Sequence, residues 1–247
     1  MSQDALLTLG IETSNPSAQG SGSWRPEVVL ARLGVGGEGF WCEREALDLS
    51  NPHDDDLMPA ISRLCARVGV GPRAIRRIAV SVGPGGFTAV RIAVAAAKLI
   101  AEVTGAECVP VPSAWVAARA WSREHGGGGG VAVALAAKGP TAFVAEFAAG
   151  ELPIATGPGR LMTGGEMREL PGRGVGVLLC DRFVIPIVGS PGDIPGLSVC
   201  EIGFDGLACV EMAELAAPVD PVELVPRYPR EPEAVTKWRE LKARKGG

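Results

Sequence analysis

Apolar residues along the chain follow two alternating patterns: short unbroken runs closed by turn residues, and longer stretches where they recur every third or fourth position. "ALLTLGI" (5–11) is a run of the first kind that ends in the polar "ETSNPS", and it reads as a buried strand feeding a loop. "PEVVLARL" (26–33) and "FWCEREALDL" (40–49), joined by "GVGGEG", predict two more strands and, with the first, an antiparallel meander. "DDDLMPAISRLCARVG" (54–69) predicts a helix with Leu57, Ile61, Leu64, Cys65 and Val68 on its apolar face. Three Asp suit the positive N-terminal end of that helix, Pro59 falls early where a missing amide proton costs least, and Gly69 suits its stop. "IRRIAVSVG" (75–83) and "CVPVPSA" predict strands, and "AWVAARAWSREH" a helix. Five consecutive glycines, Gly126 to Gly130, predict a flexible loop tip. Beyond them "VAVALAA", "TAFVAEFAAG" and "VGVLLC" predict a second sheet, with "DGLACVEMAELAA" (205–217) as a helix on it. "REPEAVTKWRELKARK" spaces Val235, Trp238 and Leu241 three apart and predicts a closing helix. Strand-strand-strand-helix-strand-helix occurs once clearly and again more loosely, which predicts two α/β subdomains of related plan divided near residue 112.

Residues 83–105, "GPGGFTAVRIAVAAAKLIAEVTG", carry the strongest pattern. At 100° per residue, Val90, Ala93, Val94, Ala97 and Ala101 form one apolar stripe, and Ile92, Ala96, Leu99 and Val103 a second. Arg91, Lys98 and Glu102 leave only a narrow polar seam, so the helix is expected to be covered on two sides. This reading lays the Leu99 stripe on the chain's own sheet and offers the Ala-rich stripe to another helix, of the same chain or of a partner. The turn before it has two readings. Gly83, Gly85 and Gly86 let backbone approach a phosphate at a helix N-terminus, or they make a tight strand-to-helix turn. The turn lacks both the Lys-Ser/Thr pair of a Walker loop and a GxGxxG.

Composition narrows the function classes. The 247 residues suffice for one large domain or two small ones, and 47 % hydrophobic with 21 % charged residues excludes global disorder. A net charge of −4 disfavours unaided grip on nucleic acid, although basic residues gather in the terminal "TKWRELKARKGG". The six cysteines form no CxxC pair and no zinc-finger spacing, so they read as reduced, small hydrophobes. "MSQDALLTLG" has no basic n-region and no apolar run reaches membrane length, which places the expected location in the cytoplasm, with no membrane contact. The two histidines, His53 and His125, lie far apart without an H-x-x-x-H, and there is no GxSxG. His53 beside three Asp reads as a polar helix-start residue. No metal site and no catalytic residue is therefore expected.

The blocks "LLTLGIETS", "HDDDLMPAI", "SVGPGGFTAVRIAVAAAKLIA", "VPVPSAWVAA" and "VPRYPREPEAVTKW" occur in the order seen in the TsaB family, which this chain resembles. The resemblance implies an α/β fold shared by actin, Hsp70 and sugar kinases, made of two ribonuclease-H-like subdomains: 1–112, rejoined by the C-terminal helix 231–244, and 113–230. It implies a non-catalytic dimerisation subunit for threonylcarbamoylation of adenosine 37 in tRNA. Its partners would be a TsaD-type transferase and a TsaE-type ATPase, with tRNA met only through the complex and a homodimer as a further option. The family's contact helices match 54–68 and 87–104, which puts Met58, Ile61, Cys65, Val90, Ala93, Val94, Ala97 and Ala101 at the expected interface. No cofactor is implied for the chain itself; ATP or ADP at the joint would lie near Thr13, Ser14, Gly83, Gly85 and Gly86. The chain departs from the family in Glu12-Thr13-Ser14, where Asp-Thr-Ser is usual, in Gly86 and Ala89, and in a longer, Gly/Ser-rich 17–27. The alternative is a small-molecule kinase or ATPase of the same fold, using Thr13–Ser14 and Gly83–Gly86.

Overall fold

The computed structural model describes residues 6–15, 24–34, 40–50, 55–137, 139–189, 192–229, 238 and 242. His53 and nearly all of the predicted closing helix lie outside them. The first sheet has the order β3-β2-β1-β4-β5. Its strands are β1 (Thr8–Glu12), β2 (Glu27–Arg32), β3 (Trp41–Ala46), β4 (Arg77–Ser81) and β5 (Glu107–Val111). Strands β1 to β3 form the predicted antiparallel meander, while β4 and β5 add in parallel beside β1. The second sheet repeats the plan as β10-β9-β6-β7-β8. Here β6 (Gly130–Ala136), β7 (Thr141–Phe147) and β8 (Arg160–Thr163) form the meander. β9 (Val175–Cys180) and β10 (Ser198–Glu201) run parallel to β6.

Side chains alternate across each strand, so every strand feeds two cores. Leu9 and Ile11 of β1, Val28 and Leu30 of β2, and Ile78 and Val80 of β4 face α1 (Leu57–Val68) and α2 (Phe87–Thr104). Val29, Ala31 and Ala79 point the other way, into a middle layer with α3 (Ser113–His125) and α6 (Gly206–Ala213). A third core covers the far face of the second sheet with α4 (Gly164–Arg168) and α5 (Ile185–Val188). In the middle layer α6 lies on β1 of the first sheet, not on the second sheet where the sequence pattern put it, and α3 packs against both α6 and β6. The α6 approach is close, since a Cβ on Gly10 would come within 2.9 Å of the Gly206 carbonyl oxygen.

One further local expectation is corrected. Gly126 to Gly130 are not merely a loop tip, because a Cβ on Gly127 would meet Gly150 backbone at 2.1 Å and one on Gly130 would meet the Gly174 carbonyl at 2.4 Å. These glycines permit backbone to pack on backbone, and the last already belongs to β6. At the start of α1, Asp56 does not cap the helix: its carboxylate binds the Arg63 guanidinium at 2.7 and 2.8 Å and accepts from the Asp48 amide, which holds its pKa at about 2. Asp55 accepts from the Leu57 amide instead. All six cysteines are free, with Cys65, Cys108, Cys180 and Cys209 buried. Among the described residues no helix is long and apolar enough to cross a membrane.

Candidate functional site

Strand β1 delivers Glu12 into a buried polar junction beside α6. The carboxylate Oε1 accepts from the Ser14 amide at 2.8 Å and the Ser14 hydroxyl at 2.7 Å, while Oε2 has no partner among the described residues. Burial pushes the Glu12 pKa up to about 7; the Ser14 hydrogen bonds offset only part of that rise, and Glu27 on the next strand adds to it. The Thr13 hydroxyl is likewise buried without a partner among the described residues. Ser81 Oγ lies 2.9 Å from Ser113 Oγ, tying the end of β4 to the first turn of α3.

The structure brings Thr13, Ser14, Gly83, Gly85 and Gly86 together, in a closed arrangement. The Gly86 amide donates to the Ser14 carbonyl at 2.6 Å, and Asn15 Nδ2 reaches Ser14 Oγ at 2.9 Å and the Pro84 carbonyl at 3.4 Å. A Cβ on Gly85 would stand 2.1 Å from the Ser14 carbonyl oxygen, so the two loops touch. The Gly86 amide is therefore already occupied by protein, whereas a phosphate cradle needs free amides. Gly85→Ala is expected to force the loops apart and cost about 2 kcal/mol of stability; a melting curve indistinguishable from that of the parent would contradict this contact.

The orientation of the two α2 stripes requires a correction. Val90, Ala93, Val94, Ala97 and Ala101 are all buried in the first core, together with Ile61 and Cys65 of α1. Of the eight residues expected at an interface only Met58, half exposed, reaches solvent in the isolated chain. The reason is steric. The small Ala side chains let α2 settle directly on β4 and β5, close enough for the Cys108 thiol to approach the Ala97 carbonyl at 3.9 Å. Of the stripe expected on the sheet, Leu99 and Val103 point outward, 68 % and 72 % exposed, while Ala96 is buried and Ile92 packs half-buried against the first core.

Phe87, 58 % exposed at the N-terminal end of α2, lies roughly 120° or more round the helix from Leu99 and Val103; there it stacks on Tyr228 at 5.3 Å and carries the Arg91 guanidinium over its ring. The segment after α6 runs alongside: Val219 bridges Cys108, the Val222 carbonyl accepts from Lys98 Nζ at 3.1 Å, and the Arg227 amide donates to the Val82 carbonyl. Val222 and Val225 add further exposed apolar surface there. Sequence reasoning found the helix and its two stripes; it laid the wrong one on the sheet.

On the opposite side of the first sheet, the start of α6 anchors an ion-pair lattice. Asp205 accepts from the Leu207 and Ala208 amides and pairs with Arg44 and Arg123, and Glu27 accepts from the Gly206 amide and pairs with Arg44 at 2.9 Å. Burial would raise the Asp205 pKa, but Arg123 and Arg44 outweigh it and hold the carboxylate below its usual range. Glu211 joins Arg119 and Arg123 to the same lattice. Among the described residues no group of three or more His, Cys, Asp or Glu side chains is arranged to hold a metal ion. His125 stacks on Trp121 at the end of α3.

The two repeated sheets, with helices exchanged across the middle layer, define an actin-like architecture of two ribonuclease-H-like lobes. The solved structures it resembles make the architecture TsaB-like. YeaZ from Pseudomonas aeruginosa superposes with a TM-score of 0.64 at 18 % identity, covering 90 % of this chain and 99 % of that one. A second structure, of an uncharacterized protein with similarity to peptidase YeaZ from Pseudomonas aeruginosa, gives a TM-score of 0.66 at 19 % identity, covering 91 % of this chain and 100 % of that one. Residues 48–146 match the sequence model of the TsaD family, described as tRNA N6-adenosine threonylcarbamoyltransferase. No curated protein matches the chain.

Proposed function

We propose that this chain is a non-catalytic scaffold that binds and activates a TsaD-type transferase during formation of N6-threonylcarbamoyladenosine at position 37 of tRNA. A YeaZ-like fold over nearly the whole chain and a TsaD-family match through both contact helices support this reading. The observation that carries it is the outward apolar surface of α2, where Leu99 and Val103 stand largely exposed on adjacent turns. Large apolar side chains gathered on one face gain free energy when a partner covers them. The partner face is therefore this stripe together with Met58, in place of the Ala-rich stripe. A TsaE-type ATPase and the tRNA join through the complex, and ATP or ADP would sit at the joint between subunits, outside the closed Thr13–Ser14 and Gly83–Gly86 contact.

Reconstitution tests the scaffold. Transferase, TsaE-type ATPase and tRNA should yield modified adenosine only when this chain is added, and the chain alone should yield none. In about 150 mM salt the isolated chain should not shift tRNA at sub-micromolar concentration, because its net charge is −4. Modification at full rate without the chain would refute the scaffold. ATP hydrolysis that tracked the isolated chain and vanished in Thr13→Ala would favour the kinase or ATPase alternative.

A further inference from the structure

A recess of about 360 Å³ opens above the ion-pair lattice, on the side of the first sheet away from the α2 face. Its walls include the rings of Trp24, Trp121 and Phe204; Trp24 and Phe204 pack tilted at 5.1 Å, and His125 stacks on Trp121 at 3.6 Å. Charge in the recess is unbalanced. Of its carboxylates, Glu27 and Asp205 are engaged by Arg44 and the α6 amides, and Asp205 also by Arg123. Glu124 and Glu201 stand exposed at the rim with no ion pair among the described residues, against one similarly unpaired cation, Arg25. Aromatic faces beside unneutralised carboxylates attract an organic cation through both the ring quadrupole and direct charge.

We propose that this recess binds a guanidinium or alkylammonium group, held by the rings of Trp24, Trp121 and Phe204 and by the carboxylates of Glu124 and Glu201. The group arrives either on a free small cation or on a basic side chain of a polypeptide. The site is independent of the transferase-binding face and stands whether or not that face is confirmed.

The test uses the full chain and three probes: agmatine, uncharged butylurea, and a blocked Ala-Arg-Ala peptide. Agmatine should shift the indole N–H signals of Trp24 and Trp121 saturably in nuclear magnetic resonance spectra, and butylurea should not. Glu124→Gln with Glu201→Gln should weaken agmatine binding about tenfold. Both positions are exposed, so the melting temperature should hold and the loss will report the site. Tighter binding of the peptide than of agmatine identifies a polypeptide source, and the reverse a free cation; either outcome supports the assigned chemistry. Equal response to agmatine and butylurea, an unchanged double variant, or no saturation of either cationic probe by about 10 mM overturns it.

Discussion

Ala97→Glu is expected to destabilise the fold strongly, while Leu99→Glu leaves the fold intact and weakens association with the transferase about thirtyfold. Ala97 is fully buried between α2 and the first sheet, with the Cys108 thiol against its carbonyl. A carboxylate placed there has no cation to meet and no route to water, which costs about 3–5 kcal/mol. That loss is a large fraction of the roughly 5–15 kcal/mol margin of a typical domain. Leu99 projects into solvent, so a glutamate there should move stability by no more than about 0.5 kcal/mol. In a complex the same charge would be trapped against apolar surface at the centre of the contact, where a lost anchor costs about 2 kcal/mol or more, roughly thirtyfold in affinity. Thermal melts and analytical ultracentrifugation with the transferase measure the two effects separately. Normal association of Leu99→Glu would remove α2 from the interface. Self-association that this variant abolished in the absence of transferase would assign the face to a second copy of the chain.

Much of the architecture can be read directly from the chain. Leu9, Ile11, Val28, Leu30, Ile78 and Val80 alternate with residues of the other face, and that period fixes the strands and the meander of the first lobe. The second lobe is less readable because β8 and β10 have only four residues each, and α4 and α5 five and four. Segments so short carry too few positions for a period to emerge. The orientation of α2 fails for a different reason. Two apolar stripes look alike in sequence, and the choice between them depends on how closely the helix approaches its sheet. Ala93, Ala97 and Ala101 allow the nearer approach, and that tertiary fact is absent from the hydropathy pattern. The grouping of Thr13 and Ser14 with Gly83, Gly85 and Gly86 is legible because each segment follows a neighbouring parallel strand. Their closure on one another depends on contacts between the loops, the Gly86 amide to the Ser14 carbonyl and Asn15 Nδ2 to the Pro84 carbonyl, which no motif encodes.

Glu12 gives the second large effect, a stability that falls as pH rises. Its folded pKa of about 7 lies above the ordinary carboxyl value of 4.5, so the folded state holds a proton that the unfolded chain has released across that interval. Stability from this group is full below the unfolded pKa, declines as pH climbs from there, and is lost once pH passes about 7, a total change of about 3 kcal/mol. The groups around it do not reverse the sign. Glu27, on the next strand, has its own pKa raised by burial, and the Cys209 thiol is pushed well above its usual value and stays neutral. Carboxylates held low by arginine, such as Asp56, exert their opposite effect at more acid pH. Glu12→Gln keeps an acceptor for the Ser14 amide and hydroxyl and replaces the unpartnered oxygen with an amide that never ionises. Urea denaturation of both proteins at pH 5 and pH 8 makes the comparison. The parent should lose stability between the two conditions; the variant should lose far less and be the more stable protein at pH 8. Equal loss in the two proteins would mean that Glu12 is ionised throughout and that the buried junction is stabilised by some other means.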